Sequence, residues 1–410
     1  MLCIFNSTKQ FVYNKMKIKI SDRLNGIKNY AFAEVDEEAA KLRKAGITPI
    51  DFGVGDPKEP TPNIVRNAIK KAIEQRKSSG YPSYIGTDEY RQEISKWCKK
   101  RFGINLDYQK EITSTIGSKE AVFNFPEAFI NPGDYVIMPN PGYPPYEIGT
   151  LFAEGRPYSL PLSKENNFLM DLSSIPASIA KKSKILWINY PNNPTGAAAS
   201  EEFFKEAIDF GHDNNIIVAS DECYTDIYFK DKPHSILEYS REGVVVFQSL
   251  SKRSAMTCYR VGWVAGDENI IAPFRKLKTN IDSGTATFIQ DAAVAALKDE
   301  AHVDKMREDY KIKRDILVNA LTSIGLDDCT PDASLYIWQK IPKGIDSIAF
   351  AKRLLQKDTA IVVTPGASFS IDFNGFNPGK DYVRFALVPT MQECRDAAKR
   401  ISKLKKESFK

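Results

Sequence analysis

The stretch KILWINYPNNPTGAAASEEFFKEAIDFGHDNNIIVASDECY, residues 184–224, decides the fold. It opens on a short apolar run, KILWINY, and turns at Asn-Pro-Thr-Gly. It continues through SEEFFKEAIDFGHDNN and ends in a second run, IIVASDE. Short runs rich in Val and Ile, closed off by Gly, Pro or Asn, read as strands. Apolar positions recurring every three to four residues read as a helix with one buried face. Working outward, EITSTI (111–116), DYVIMPN (134–140) and VVVFQSLS (244–251) read as further strands, and SKEAVFNFPEAFI (118–130) reads as a helix between the first two. Strand–helix alternation at this density predicts an α/β fold, a mostly parallel sheet covered by helices on both faces. In such sheets the ligand lies at the carboxyl ends of the strands.

The last third reads differently. A long helical pattern, HVDKMREDYKIKRDILVNALTSIG, precedes the short strands SLYIWQKI, AIVVTPG and DYVRFALV and a final helix. This composition suits a smaller α+β domain. The first fifty residues are too few to fold alone and are expected to pack with it. The expected division is a large domain over 52–284 and a small one made of 17–51 with 285–410. Residues 1–16 form an extension outside both, and Met16 would serve as well as Met1 for a start. A chain of 410 residues accommodates two such units.

Bulk properties exclude several classes. Apolar residues at 42% and charged residues at 27% are ordinary for a soluble globular protein. The net charge of +5 is scattered until the closing KLKKESFK, which reads as a solvated helix end and not as a nucleic-acid patch. Six dispersed cysteines without a C-x-x-C pair, and three histidines outside any ligand spacing, argue for no metal site, no disulfide framework and a cytosolic location. No apolar run approaches about 18 residues, so no membrane span is expected.

Four polar clusters fall at the ends of expected strands or open the helix behind one: GSKEA after EITSTI, NYPNNPTG after KILWI, DECY after IIVAS, and SLSK after VVVFQ. Each alone is a common turn; their joint position on one rim needs a chemical reason. A lysine at a strand end, partly shielded from water, has its ammonium disfavoured and becomes a nucleophilic amine. Such an amine condenses with an aldehyde cofactor. Pyridoxal 5'-phosphate needs three further things. Asp221 offers a buried carboxylate for its ring nitrogen. The helix start at GSKEA offers backbone N–H groups for its phosphate, with Arg260 adding a charge-assisted bond. Asn193 and Tyr224 offer donors for its phenolate oxygen.

These residues carry a resemblance. PNNPTG, DECY and SLSKRSAMTCYRVGW stand in the order and approximate spacing of the fold-type I pyridoxal-phosphate aminotransferases, class I/II. The chain resembles that family from IDFGVGDP to DYVRFALV. The resemblance implies Lys252 as the Schiff-base lysine and proton shuttle, Asp221 beside the ring nitrogen, and Tyr224 and Asn193 at the phenolate oxygen. It implies Tyr143 stacked on the ring, and Ser118, Lys119, Ser249 and Arg260 around the phosphate, with Lys119 facing the substrate as the other option. Arg384, in VRFA, matches the arginine that grips the substrate's α-carboxylate, and Gly55 and Asn193 lie near the substrate. Tyr81, in GYPSYIGTDEYR, matches a tyrosine that reaches the neighbouring subunit's phosphate, which implies a homodimer with shared active sites. The partners implied are an amino acid and a 2-oxo acid, 2-oxoglutarate foremost. NIDSGTATFIQ, GVGDPKEPTP and SLSKRSAMT look like the diaminopimelate-type branch, which belongs to lysine biosynthesis, more than the aspartate type.

Alternatives stay open at this point. Aspartate or aromatic aminotransferase activity fits the same residues, as does a pyridoxal-phosphate carbon–sulfur β-lyase. A non-catalytic regulatory protein on this fold is opposed by the presence of Lys252, Asp221 and Arg384 together. The Gly-Val-Gly at 53–55 is no dinucleotide loop, since Asp-Pro stands where a third glycine and a helix should begin. Cys258 departs from the glycine found there in many members, and reads as structural. Arg253 reads as a solvated neighbour of Lys252.

Overall fold

The computed structural model describes residues 18–27, 33–78, 80–373, 375–405 and 409; the extension expected at 1–16 lies outside them. Twelve strands are present among the described residues. They are β1 (Ile50–Asp51), β2 (Ile112–Thr115), β3 (Tyr135–Asn140), β4 (Arg156–Pro161), β5 (Ser183–Asn189), β6 (Ile217–Asp221), β7 (Val244–Ser249), β8 (Gly262–Gly266), β9 (Tyr336–Lys340), β10 (Ile361–Val362), β11 (Thr364–Pro365) and β12 (Tyr382–Ala386).

The main sheet has seven strands in the order β2-β8-β7-β6-β5-β3-β4. Pairing from β4 through β7 is parallel, and β8 runs antiparallel to both β7 and β2. Only β8 therefore opposes the rest. The central strands read as unbroken apolar runs because both their faces are covered. Alternation sends Leu186, Ile188, Val218, Val244 and Val246 to one side, where they meet Tyr90, Trp97, Phe203 and Phe204. Ile185, Trp187, Ala219, Val245 and Phe247 go to the other, against Phe125 and Phe274. The helix Glu201–Asn214 between β5 and β6 starts where the Ser200 hydroxyl accepts from the Phe203 N–H, and stops at Asn215 in the left-handed region.

The rest of the chain builds a second core around two small sheets, β1-β10 and β11-β12-β9. Val35, Ala39 and Leu42 from the helix Ala33–Lys44, and Ile50 from β1, share that core with Leu317, Phe350, Ile361 and Phe385. The run AIVVTPG, expected as one strand, divides in two. Ile361 and Val362 pair with Ile50 and Asp51, whereas Thr364 and Pro365 pair with Arg384 and Val383. The helix Thr287–Lys298 differs from the expected boundary at 284. Its Ala292, Ala293, Ala296 and Leu297 are buried in the large sheet's core with Ile94 and Trp97, so the packing places it with the large sheet. Phe52, in turn, is buried with the smaller core.

Candidate active site

The carboxyl ends of β5, β6 and β7 bring the expected residues together. β6 ends at Asp221, which is 4% exposed. Its Oδ2 accepts from the Tyr146 hydroxyl at 2.8 Å, and its Oδ1 from the Cys223 N–H at 3.3 Å. Burial holds its carboxyl above the ordinary range, while the bonds from Cys223 and Tyr146 pull the other way. β5 ends at Asn189, whose amide donates to the Asp221 carbonyl at 2.8 Å and whose Oδ1 accepts from the Asn193 N–H at 2.9 Å. One side chain thus ties the turn after β5 to the end of β6.

Asn193 Oδ1 accepts from Arg384 Nη1 at 2.8 Å. Arg384 rises from β12, is 5% exposed, and donates through Nη2 to the Gly53 carbonyl at 2.6 Å. Its guanidinium lies 4.3 Å from the ring centroids of both Tyr336 and Phe369. Tyr224, three residues past Asp221, places its hydroxyl 3.1 Å from that of Tyr336.

β7 ends at Ser249, whose side chain accepts from the Ser251 N–H and caps the four-residue helix Leu250–Arg253. Lys252 is half-buried and its amine donates to the Gly55 carbonyl. Across the rim the helix Gly117–Asn124 begins behind β2. Arg260 lies at this helix start, donating to the Ile116 carbonyl at 3.3 Å and to the Thr257 carbonyl at 2.8 Å. Gly117 has φ +71° and a Cβ there would collide with the Arg260 guanidinium, so only glycine leaves the approach open. Ser118 is half-buried, while Lys119 is exposed. Tyr143 sits just ahead of the helix Pro144–Phe152, edge-on to Tyr146, and burial pushes its phenol up.

A family model described as aminotransferase class I and II matches residues 47–401. The chain belongs to the class I and II aminotransferases. It is 44% identical to the LL-diaminopimelate aminotransferase of Aquifex aeolicus (strain VF5), over 94% of this chain and 99% of that protein. Among solved structures, an aminotransferase from Neisseria meningitidis superposes with a TM-score of 0.87 at 34% identity, covering 94% of this chain and 99% of its own. A probable N-succinyldiaminopimelate aminotransferase from Thermus thermophilus gives 0.83 at 30% identity, covering 91% and 99%.

Not every expected residue of this aminotransferase joins the cluster. Tyr81 is 90% exposed. Four residues of the cluster carried no signal that singled them out. Tyr146 hides in YPPY, where Pro144 opens the helix that aims it. Asn189 ends a strand, Phe369 lies against Arg384, and Tyr336 is one aromatic in a strand buried almost throughout. Only the fold shows that Gly55 makes room for one of them: a Cβ there would collide with the Tyr336 hydroxyl.

Arg253 is a correction. It is 3% exposed, not solvated. Its guanidinium donates to Asp226 Oδ2 at 2.7 Å, to Glu300 Oε1 at 2.7 Å and to the Ala296 carbonyl at 2.9 Å. Asp226 also accepts from Arg101 at 3.0 Å. A cation this deep needs such partners. Cys258 is exposed on the turn Thr257–Tyr259, and nothing around it explains the thiol.

Beside Asp221 lies a second buried carboxyl, Glu222, fully enclosed. Its donors are neutral: the Ile236 N–H at 3.0 Å, the Ser220 hydroxyl at 3.1 Å and the Gln248 amide at 3.4 Å. Burial lifts it from its ordinary 4.5 to about 7. The folded state therefore holds a proton that the unfolded chain releases. The stability this brings is complete below about pH 4.5 and is lost as the pH rises through about 7. Glu222→Gln removes the loss. Urea midpoints measured from pH 5 to 9 should fall for the parent relative to the variant; parallel curves would sink the assignment.

Proposed function

We propose that this aminotransferase holds pyridoxal 5'-phosphate at the rim and moves an amino group from LL-diaminopimelate, or its N-succinyl form, to 2-oxoglutarate, a step of lysine biosynthesis. The full-length likeness to the Aquifex aeolicus enzyme, 44% over 94% and 99% of the two chains, carries the choice of substrate. The donor set fits the cofactor. Arg260 packs directly against Gly117, where a Cβ would meet its guanidinium, which sets a cation beside the helix start for a phosphate. Ser118 and Lys119 in the same helix, and Ser249 at the end of β7, are the further phosphate contacts on this reading. Asp221 supplies a buried carboxylate for a ring nitrogen, Tyr143 a ring face, and Asn193 and Tyr224 donors for a phenolate oxygen.

When bound, pyridoxal phosphate supplies an aldehyde that captures amines and a ring that accepts the electron pair of the broken α C–H bond. Lys252 would be the amine that anchors this aldehyde, and its Nζ, when free, would be the base for the proton on the substrate's α-carbon. Asp221 keeps the ring nitrogen protonated, an electrostatic contribution made strong by burial. Arg384, in contact with the rings of Tyr336 and Phe369, presents a planar fork to the α-carboxylate. Gly55 lets the backbone approach the same place.

The working form is a homodimer with shared active sites. Tyr81 at 90% exposed is the residue that crosses to the neighbour's phosphate, and Val54, Ile64, Tyr84 and Ile281 are further exposed apolar side chains available to an interface. The enzyme acts in the cytosol, which suits its free thiols at Cys98, Cys223, Cys258, Cys329 and Cys394.

Three measurements test this. Borohydride reduction of the loaded enzyme should leave the cofactor's mass on Lys252; covalent attachment persisting in Lys252→Ala would overturn the role, and turnover there should drop about 10³-fold. Arg384→Ala should keep cofactor bound and raise KM for the amino acid about 10- to 100-fold. An assay panel should offer 2-oxoglutarate with LL-diaminopimelate, its N-succinyl form, aspartate, alanine and phenylalanine, reading the glutamate formed. A diaminopimelate form should lead, and faster turnover of aspartate or phenylalanine would displace it. Pyruvate released from cystathionine without a 2-oxo acid would favour the β-lyase instead.

A further inference from the structure

Tyr336 opens β9 and is 2% exposed. In the antiparallel register Arg384 sits opposite Trp338, and Tyr336 is the next residue along on the same face of β9. Three contacts meet on this one side chain. Its hydroxyl lies 3.1 Å from that of Tyr224, its ring lies under the Arg384 guanidinium at 4.3 Å, and it fills the space a Cβ at Gly55 would occupy. Gly55 is also the residue whose carbonyl takes the Lys252 amine.

We propose that Tyr336 is a positioning residue that sets both ends of the site: its hydroxyl orients the Tyr224 hydroxyl and its ring seats the Arg384 guanidinium. This rests on the reading that Tyr224 donates to the phenolate oxygen of pyridoxal phosphate. A phenol has one hydrogen to give and lone pairs to accept. A buried hydroxyl hydrogen without an acceptor is unfavourable. The hydrogen-bond partner of Tyr336 is Tyr224, whereas Tyr224 has the cofactor's oxygen as a second partner on that reading. Tyr336 therefore donates to Tyr224, and the Tyr224 hydrogen points into the site. The ring acts separately. The Phe369 ring is a second aromatic contact at the same 4.3 Å, and together the two rings restrict how the guanidinium tilts.

The two parts are separable by substitution. Tyr336→Phe deletes the hydroxyl and keeps the ring; Tyr336→Leu deletes both. The first readout is the pH titration of the visible band that the Lys252-bound cofactor gives without substrate. A donor at the phenolate oxygen favours the form in which that oxygen carries full negative charge. Loss of its orientation in Tyr336→Phe should move the titration upward by about half a unit or more and slow kcat about fivefold, with KM for the amino acid within about twofold. Tyr336→Leu should show the same displaced titration and raise KM about tenfold. The other ionisable groups around these hydroxyls are Asp221, Cys223, Tyr143, Tyr310, Lys252 and Arg384, and both variants leave them in place. A titration in Tyr336→Phe superposable on the parent would overturn the hydroxyl's role, and a parent-like KM in Tyr336→Leu would overturn the ring's. A parent protein that takes up no cofactor and shows no such band would instead sink the cofactor reading, and this inference with it.

Discussion

A carboxylate buried at the end of a parallel strand must have donors, and the surroundings of Asp221 are arranged by that need. At 4% exposure it has almost no water to hydrate it. Its direct donors are the Tyr146 phenol and the Cys223 N–H. Tyr146 is held in turn by stacking on Trp187, ring centroids 5.0 Å apart and nearly parallel. Trp187 is a central residue of β5. The next strand-end residue, Asn189, fixes the Asp221 carbonyl. One carboxylate thus recruits the middle of β5, the end of β5 and the helix Pro144–Phe152. Burial outweighs these neutral donors, so the carboxyl stays above its ordinary range.

The second constraint joins the two cores. Arg384 belongs to a strand of the small sheet, yet its guanidinium bonds Asn193 in the turn after β5. Gly53 receives its other nitrogen, in the segment that leaves β1. The site is therefore closed by a cation whose backbone and whose partner lie in different cores. Charge-assisted bonds and two flanking rings hold it more firmly than hydrophobic packing would, because they fix orientation as well as position.

The sequence was most legible where one physical rule acts alone. Strands covered on both faces must be apolar throughout, so KILWI and VVVFQ were readable without any partner in view. Turn chemistry after such strands placed Asn193, Asp221 and Lys252 on one rim. Reading failed where the decisive partner is distant in the chain. Arg253 follows Lys252 and looks like half of a charged surface pair. In a helix the next side chain points about 100° away, and that direction leads inward to Asp226, 27 residues back, and to Glu300, 47 ahead. Tyr336 and Tyr146 escaped for the same reason: a tyrosine in a buried strand or at a helix start is commonplace, and its hydroxyl's partner is over 70 residues away in each case. The boundary at 284 misplaced the helix Thr287–Lys298 because an Ala-rich helix carries no mark of which core its small face will join.

The short helix Leu250–Arg253 shows why such distant partners matter to chemistry. Its two basic residues face opposite ways: Lys252 to the Gly55 carbonyl in the site, Arg253 into an ion network with Asp226, Glu300 and, through Asp226, Arg101. Four residues have no intrinsic stability as a helix. The Ser249 cap holds one end, and the buried network holds the other. Asp226 lies two residues beyond Tyr224, on the same loop that leaves Asp221. Lys252, Asp221 and Tyr224 are thus referenced to one another through the buried Arg253 behind them. Such pairing adds little net stability over an apolar replacement, and its value here is positional: it fixes the turn that carries the lysine to the loop that carries the other two groups.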